Sequence, residues 1–193
     1  MEKDDFGLAI MNEQQKSALV KAMASPTSIL CSDATHGTNA YDIKLITLMV
    51  INSFGNGVPV AFFFSNKEDR DVLQYLFSEI KTIVGNLEPK VFMTDDAAAY
   101  WNAFEATMDC SKTKRLLCIW HVDRNWRKKV IELVKGEDNQ IEVYNKLCTL
   151  RMESDETTFG TMLDNFVKHF NAEASTITFA QYFEKKYYGR KEF

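Results

Sequence analysis

Between Ser28 and His121, short β-rich runs alternate with turn signals and one long helical pattern, whereas after Val122 nearly every segment repeats at helical spacing. That change of period constrains the fold more than any other feature of the chain. TSILCSD (27–33), IKLITLMVIN (43–52) and VPVAFFFS (58–65) read as strands, the last two joined by Phe54-Gly55-Asn56-Gly57, whose Gly and Asn favour a tight hairpin. These three are predicted to lie antiparallel. A helix follows, then the strand KVFMTD (90–95), a helix from Ala97 to Phe104 and the strand RLLCIWH (115–121). Crossover helices force the later strands to run parallel. The predicted class is therefore α/β, a mixed five-stranded sheet with flanking helices, followed by an all-helical C-terminal segment. Three regions are expected: a helical lead-in over 1–27, the sheet core over 28–135 and a helical region over 136–193, with the boundary near Gly136.

Local signals sharpen this outline. Asn12 suits the N-cap of a helix running to Ala24, and Pro26 closes it. Ser65-Asn66-Lys67-Glu68 has the spacing of a capping box, and Val72, Leu73, Leu76, Phe77, Ile80, Ile83 and Val84 then fall on one helical face, ended by Gly85-Asn86. In the tail, Phe159, Met162, Leu163, Phe166, Val167 and Phe170 make a second stripe, and Phe179, Tyr182, Phe183 and Tyr187 a third.

Composition bounds function. With 193 residues, 46% of them hydrophobic and 26% charged, the chain can bury a core. A net charge of −4 argues against nucleic-acid binding through general basicity, so any such partner must be met by a local patch. Four cysteines at irregular spacing, without a Cys-x-x-Cys pair, do not resemble a disulfide framework. The N-terminal MEKDDFGLAIMNEQQ has no apolar signal core and no run is long enough to span a membrane, so an intracellular protein is expected.

The chemistry is expected where strands end. Asp33 closes the first strand and Asp95 the fourth, and neither carboxylate can stay ionised in an apolar strand without a partner. If these strands are neighbours, the carboxylates emerge side by side and a cation relieves their repulsion. Mg²⁺ fits, since it takes oxygen from one or two carboxylates and leaves positions for water and phosphate. Asp96 is predicted to cap the helix that follows. His36 reads as a loop histidine. Cys118-Ile-Trp-His121 supplies two of the four ligands of a structural zinc; the simpler reading has Cys118 in the core and His121 at the strand exit, near the acidic site. Arg124, Arg127, Lys128 and Lys129 gather on a helix beyond the fifth strand, beside Lys112, Lys114 and Arg115, and suit phosphate contact, with Trp126 either stacking on a base or anchoring the helix.

LCSDATHGTNAYDIKLITLMVIN, GNGVPVAFFFSNKED, VFMTDDAAAYWNAF and LLCIWHVDRNWRKK, in this order, resemble the transposase domain of Mutator-like elements, and the likeness runs from about Phe6 to Arg190. The resemblance implies a ribonuclease-H-like fold of the DDE superfamily. It implies catalytic, metal-binding roles for Asp33 and Asp95 with Mg²⁺ or Mn²⁺, and Cys118 and His121 as the family's Cys-x-x-His element. DNA, as transposon ends and target, is the implied partner, with homo-oligomers and a nuclear location expected. The segment from 136 onward corresponds to a helical insertion between the second Asp and the Glu. That Glu is expected beyond Phe193, with Glu153 and Glu156 as fallbacks, and truncation is expected to leave the helical stripes partly exposed. The implied activity is DNA cleavage and strand transfer. The alternatives are a decayed or domesticated DNA-associated regulatory protein that keeps the fold without the chemistry, or a nuclease that hydrolyses without joining.

Overall fold

A computed structural model of the chain describes residues 5–190. The chain divides into two compact units, one running through Cys118 and the other beginning at Ile119. The division falls ahead of Gly136 because the helix following Cys118 packs with later helices of the second unit.

The first unit contains, in chain order, β1 (Gly7–Ile10), α1 (Glu13–Met23), β2 (Ile29–Thr35), β3 (Lys44–Ile51), β4 (Gly57–Ser65), α2 (Arg70–Val84), β5 (Val91–Thr94), α3 (Ala98–Thr107) and β6 (Lys114–Leu117). The strands form a mixed sheet in the order β1-β4-β3-β2-β5-β6. Antiparallel pairing joins β2 to β3, β3 to β4 and β1 to β4, while β2/β5 and β5/β6 run parallel. The α/β architecture with flanking helices is as expected, and the sheet gains a sixth strand. Four residues, Gly-Leu-Ala-Ile, are too few to display a period, and β1 exists because its backbone completes the ladder of β4 from Gly7 opposite Ser65 to Ile10 opposite Phe62.

Local chemistry sets the element ends. Asn12 caps α1 in a full capping box with Gln15, each side chain taking the other's backbone amide. The β3–β4 hairpin turns on Asn52, whose Oδ1 accepts from the amides of Phe54 and Asn56, and on Gly55 at φ +79°. Pro59 lies opposite Met49, next to a register shift, where a missing amide is tolerated. The capping box predicted at Ser65–Glu68 does not form. Asp69 is the N-cap of α2 and accepts from the amide of Val72, while Ser65 is buried and donates to the carbonyl of Phe6. Asp96 is likewise displaced as the cap of α3, because the N-cap position is Ala97 and its amide donates to Asp95 Oδ1.

The core of this unit lies between the sheet and its helices. Val72, Leu73, Leu76, Phe77 and Ile80 bury the predicted face of α2, and Tyr100, Ala103 and Phe104 are the buried residues of α3. Phe77, Phe92 and Phe104 interlock at its centre, with Phe92 stacked on Phe104 at 4.3 Å between centroids.

The second unit is all helical: α4 (Ile119–Leu133), α5 (Glu137–Met152), α6 (Glu156–Asn171) and α7 (Ile177–Tyr187). RLLCIWH is only partly a strand, since β6 stops at Leu117 and Ile119, Trp120 and His121 open α4. Most residues of the apolar stripes expected to be partly exposed are buried, Leu163, Phe166, Val167 and Phe170 on α6 and Phe179, Phe183 and Tyr187 on α7, while Phe159, Met162 and Tyr182 are half-buried. Trp126 sits among Phe183 and Tyr187 with no exposed surface. Asp123 accepts from Arg127 Nε at 2.8 Å, Arg151 Nη1 at 2.7 Å and the Tyr144 hydroxyl at 2.9 Å, which ties α4 to α5. Among the described residues, no helix is long and apolar enough to cross a membrane.

Candidate active site

The parallel pairing of β2 with β5 decides where the acidic residues go. Leu30 lies opposite Phe92 and Cys31 opposite Met93. Asp33 and Asp95 each follow two residues beyond that last pair, so they stand level towards the carboxyl ends of adjacent strands; Asp33 does not close its strand as expected, because β2 stays paired with β3 from Asp33 opposite Thr47 to Thr35 opposite Leu45, whereas Asp95 is one residue past β5. Carboxyl ends of parallel strands are where an open α/β sheet presents side chains to a ligand.

Each aspartate is half-buried and held by a neighbouring amide: Asp33 Oδ1 accepts from Ala34 at 2.9 Å and Asp95 Oδ1 from Ala97 at 2.9 Å. Thr94, itself buried, donates through Oγ1 to the carbonyl of Asp95, which fixes the turn out of β5. Two anchored side chains at one rim lose little freedom on taking a common ligand.

A third carboxylate belongs to this region. Glu68 Oε1 accepts from the Tyr100 hydroxyl at 2.7 Å, and Glu68 Oε2 lies 3.1 Å from His36 Nε2. Tyr100 is 1% exposed. Its phenol is driven far above the ordinary range, first by burial, then by the charge and hydrogen bond of Glu68, then by the charges of Asp95 and Asp33. Tyr100 therefore lies within electrostatic reach of all three acids and acts only as a donor. Nothing in the local spacing of SNKED marks Glu68 for this position. The available signal was negative, since a capping box that loses to Asp69 releases its Glu for a tertiary contact.

The other predicted residues fall elsewhere. Cys118 ends the first unit, its amide continuing the β5–β6 ladder to the carbonyl of Thr94 at 2.7 Å. His121 is in the first turn of α4, edge-on to Trp120. Burial raises the thiol of Cys31 to about 11, with Cys118 adding to the effect. Among the described residues, no group of three or more His, Cys, Asp or Glu is placed to hold a metal ion, so Cys118 and His121 gain no further zinc ligands there.

The basic residues of α4 are unequal. Arg127 is bound to Asp123 and lies over the Tyr144 ring, and Lys129 is paired with Glu132 at 2.8 Å. Arg124 and Lys128 are exposed, Arg124 lying 5.4 Å from the centroid of Trp120, a ring that is 59% exposed. The aromatic residue available at this surface is therefore Trp120, not the buried Trp126. Lys114 and Arg115 belong to β6, and Lys112 precedes it. Glu153 follows α5, accepting from the amides of Ser154 and Asp155, and Glu156 stands in the first turn of α6. Both roles are local to the helical unit.

A comparison with curated proteins finds no match. Residues 29–125, spanning β2 through the first part of α4 and covering half of the chain, match the MULE transposase domain, and the chain belongs to that family.

Proposed function

We propose that this chain works as the catalytic core of a Mutator-like DNA transposase, a metal-dependent polynucleotidyl transferase in which Asp33 and Asp95 hold Mg²⁺ or Mn²⁺. The observation that carries this reading is the register of β2 against β5, which brings both carboxylates out at one rim. The donor set fits. Two hard carboxylate oxygens, with water and DNA phosphate completing the shell, suit Mg²⁺, which seldom takes an all-protein cage. Bound there, the ion supplies Lewis acidity to a phosphate oxygen and lowers the pKa of the attacking hydroxyl or water.

The chain's own residues do the positioning. Asp33 and Asp95, each pinned by a backbone amide, present negative charge at a fixed place, and the exposed Arg124 and Lys128 suit contact with the sugar-phosphate backbone without reading sequence. Arg127 and Lys129 neutralise Asp123 and Glu132, so they are weaker phosphate ligands.

Calorimetric titration with Mn²⁺ and nicking of supercoiled plasmid test the proposal. Wild type should bind and nick, and Asp33→Asn and Asp95→Asn should each lose both properties. Nicking at the wild-type rate by both variants would sink it. The alternative, a DNA-associated protein that keeps the fold without the chemistry, is distinguished by the same assays. Its signature is DNA retention by the wild type with neither nicking nor strand joining.

A further inference from the structure

We propose that Glu68 is a positioning residue for the two-aspartate rim, a single carboxylate that ties the exit of β2 to the helix following β5. The inference rests on the function proposed above.

The geometry is a closed path. His36 stands three residues after Asp33, and Tyr100 stands five residues after Asp95. Glu68 lies between them, with one oxygen on Tyr100 and the other on His36, and with 32 residues of chain separating it from each. Both strand exits therefore end on the two oxygens of one side chain. The two arms differ in strength. The Tyr100 arm is buried and short, so it resists exchange with water, whereas the His36 side chain is 57% exposed and its contact with Glu68 competes with solvent. Asp33 Oδ1 and Asp95 Oδ1 each accept from a local amide, and such bonds fix a carboxylate relative to its own strand. The bridge adds a connection that fixes the segments after the two strands relative to one another. The distance between acidic oxygens decides how well a small divalent cation is held, because Mg²⁺ tolerates little departure from octahedral geometry. Groups that orient metal ligands without touching the ion change affinity by about 10–100-fold when removed.

The test is Mn²⁺ calorimetry on the full chain, with metal-free thermal unfolding measured alongside. Asp33→Asn should abolish binding. Glu68→Gln keeps the shape of the side chain and should weaken binding about tenfold or more. That variant also removes a negative charge, so Tyr100→Phe is the sharper probe: all three carboxylates keep their charge, and a loss of about tenfold there is positional. Because the two act through one another, the double variant should bind no more weakly than the weaker single one. His36→Asn, on a surface side chain that the fold tolerates losing, should give a loss of about threefold or less. Phe77→Leu, a core change away from the bridge, should lower the melting temperature yet leave affinity unchanged. Wild-type affinity in Glu68→Gln and Tyr100→Phe, with binding abolished in Asp33→Asn, overturns the bridge and leaves the two-aspartate site standing. Additive losses in the double variant also overturn the bridge. Unchanged affinity in Asp33→Asn overturns the site itself, and the bridge with it.

Discussion

Phe92 is the side chain whose removal should cost the sheet unit most. It is fully buried at the middle of β5, stacked on Phe104 at 4.3 Å and 20°, edge-on to Phe77 at 5.9 Å, and tilted against Trp101 at 6.4 Å. Its ring thus joins the sheet to both α2 and α3. Truncating a buried phenylalanine to alanine removes its transfer free energy and leaves a cavity, about 3–5 kcal/mol together. Here the neighbours are rings held by other rings, Phe77 against Phe104 at 5.3 Å, so they collapse poorly into the gap. The expected loss for Phe92→Ala is therefore at the upper end, about 4–5 kcal/mol, a large part of the roughly 5–15 kcal/mol that stabilises a typical domain. Phe92→Leu keeps most of the volume and loses the ring pairings, for about 1–2 kcal/mol. Urea unfolding followed by far-UV circular dichroism and tryptophan fluorescence measures both, Trp101 reporting from beside the site. A loss below about 2 kcal/mol for Phe92→Ala, or equal losses for the two variants, would refute the interlocked core.

Other expectations follow from single contacts. Asn12→Ala removes one half of a capping box and should cost about 1 kcal/mol in urea unfolding, with Asn12→Gly costing less. Asp69→Ala should destabilise α2 by about 1 kcal/mol by the same measurement, whereas Glu68→Ala should leave the helix end intact, since Asp69 and not Ser65–Glu68 forms the cap. Cys31 has a thiol value raised from 9.0 to about 11, which favours the neutral form in the fold. Its contribution to stability is fully present below pH 9 and is lost as pH rises through about 11. In iodoacetamide labelling near pH 8, the thiolate fraction should make native Cys31 react about 100-fold more slowly than the unfolded chain. Tyr144 follows the same sign: burial, then hydrogen bonds to Cys148 and Asp123, push its phenol up to about 12. Stability from this group should hold below pH 10 and fade towards pH 12, visible as a delayed phenolate absorbance in a spectrophotometric titration.

The parts of the fold that were legible in the sequence are those encoded by period and by local chemistry. β3 and β4 announce themselves by β-branched and aromatic runs around Asn52–Gly57, and α2 by one apolar face, because each pattern is repeated often enough to rise above chance. β1 is four residues long and owes its existence to an edge of β4 more than fifty residues away, so nothing within it encodes pairing. The end of β6 was misplaced because Ile119, Trp120 and His121 are large and apolar enough to read as strand. Their helical state comes instead from α4, whose Val122, Trp126 and Val130 share one buried face. The predicted partial exposure of the α6 and α7 stripes is confined to Phe159, Met162 and Tyr182 for a related reason: a stripe shows that a helix has a partner, and says nothing of whether that partner is supplied by neighbouring helices of its own unit.

The same distinction separates the aspartates from Glu68. Asp33 and Asp95 were legible because each closes an apolar run, and a carboxylate there is anomalous within a window of a few residues, although β2 itself continues past Asp33 to Thr35. Glu68 sits in a polar stretch, Ser65-Asn66-Lys67-Glu68-Asp69, where a carboxylate is unremarkable and a local use for it is at hand. Its actual partners come from two other segments, each 32 residues distant, and become neighbours only when β2 and β5 lie side by side with α3 behind them. A residue that binds two segments through one side chain leaves no periodic trace in any of the three. Positioning residues of this sort are best sought after a fold is in hand, among acids that abandon the local role their spacing suggests. Glu68 meets that criterion because Asp69 takes the helix cap from it, and the comparison of Tyr100→Phe with Glu68→Gln separates its geometry from its charge.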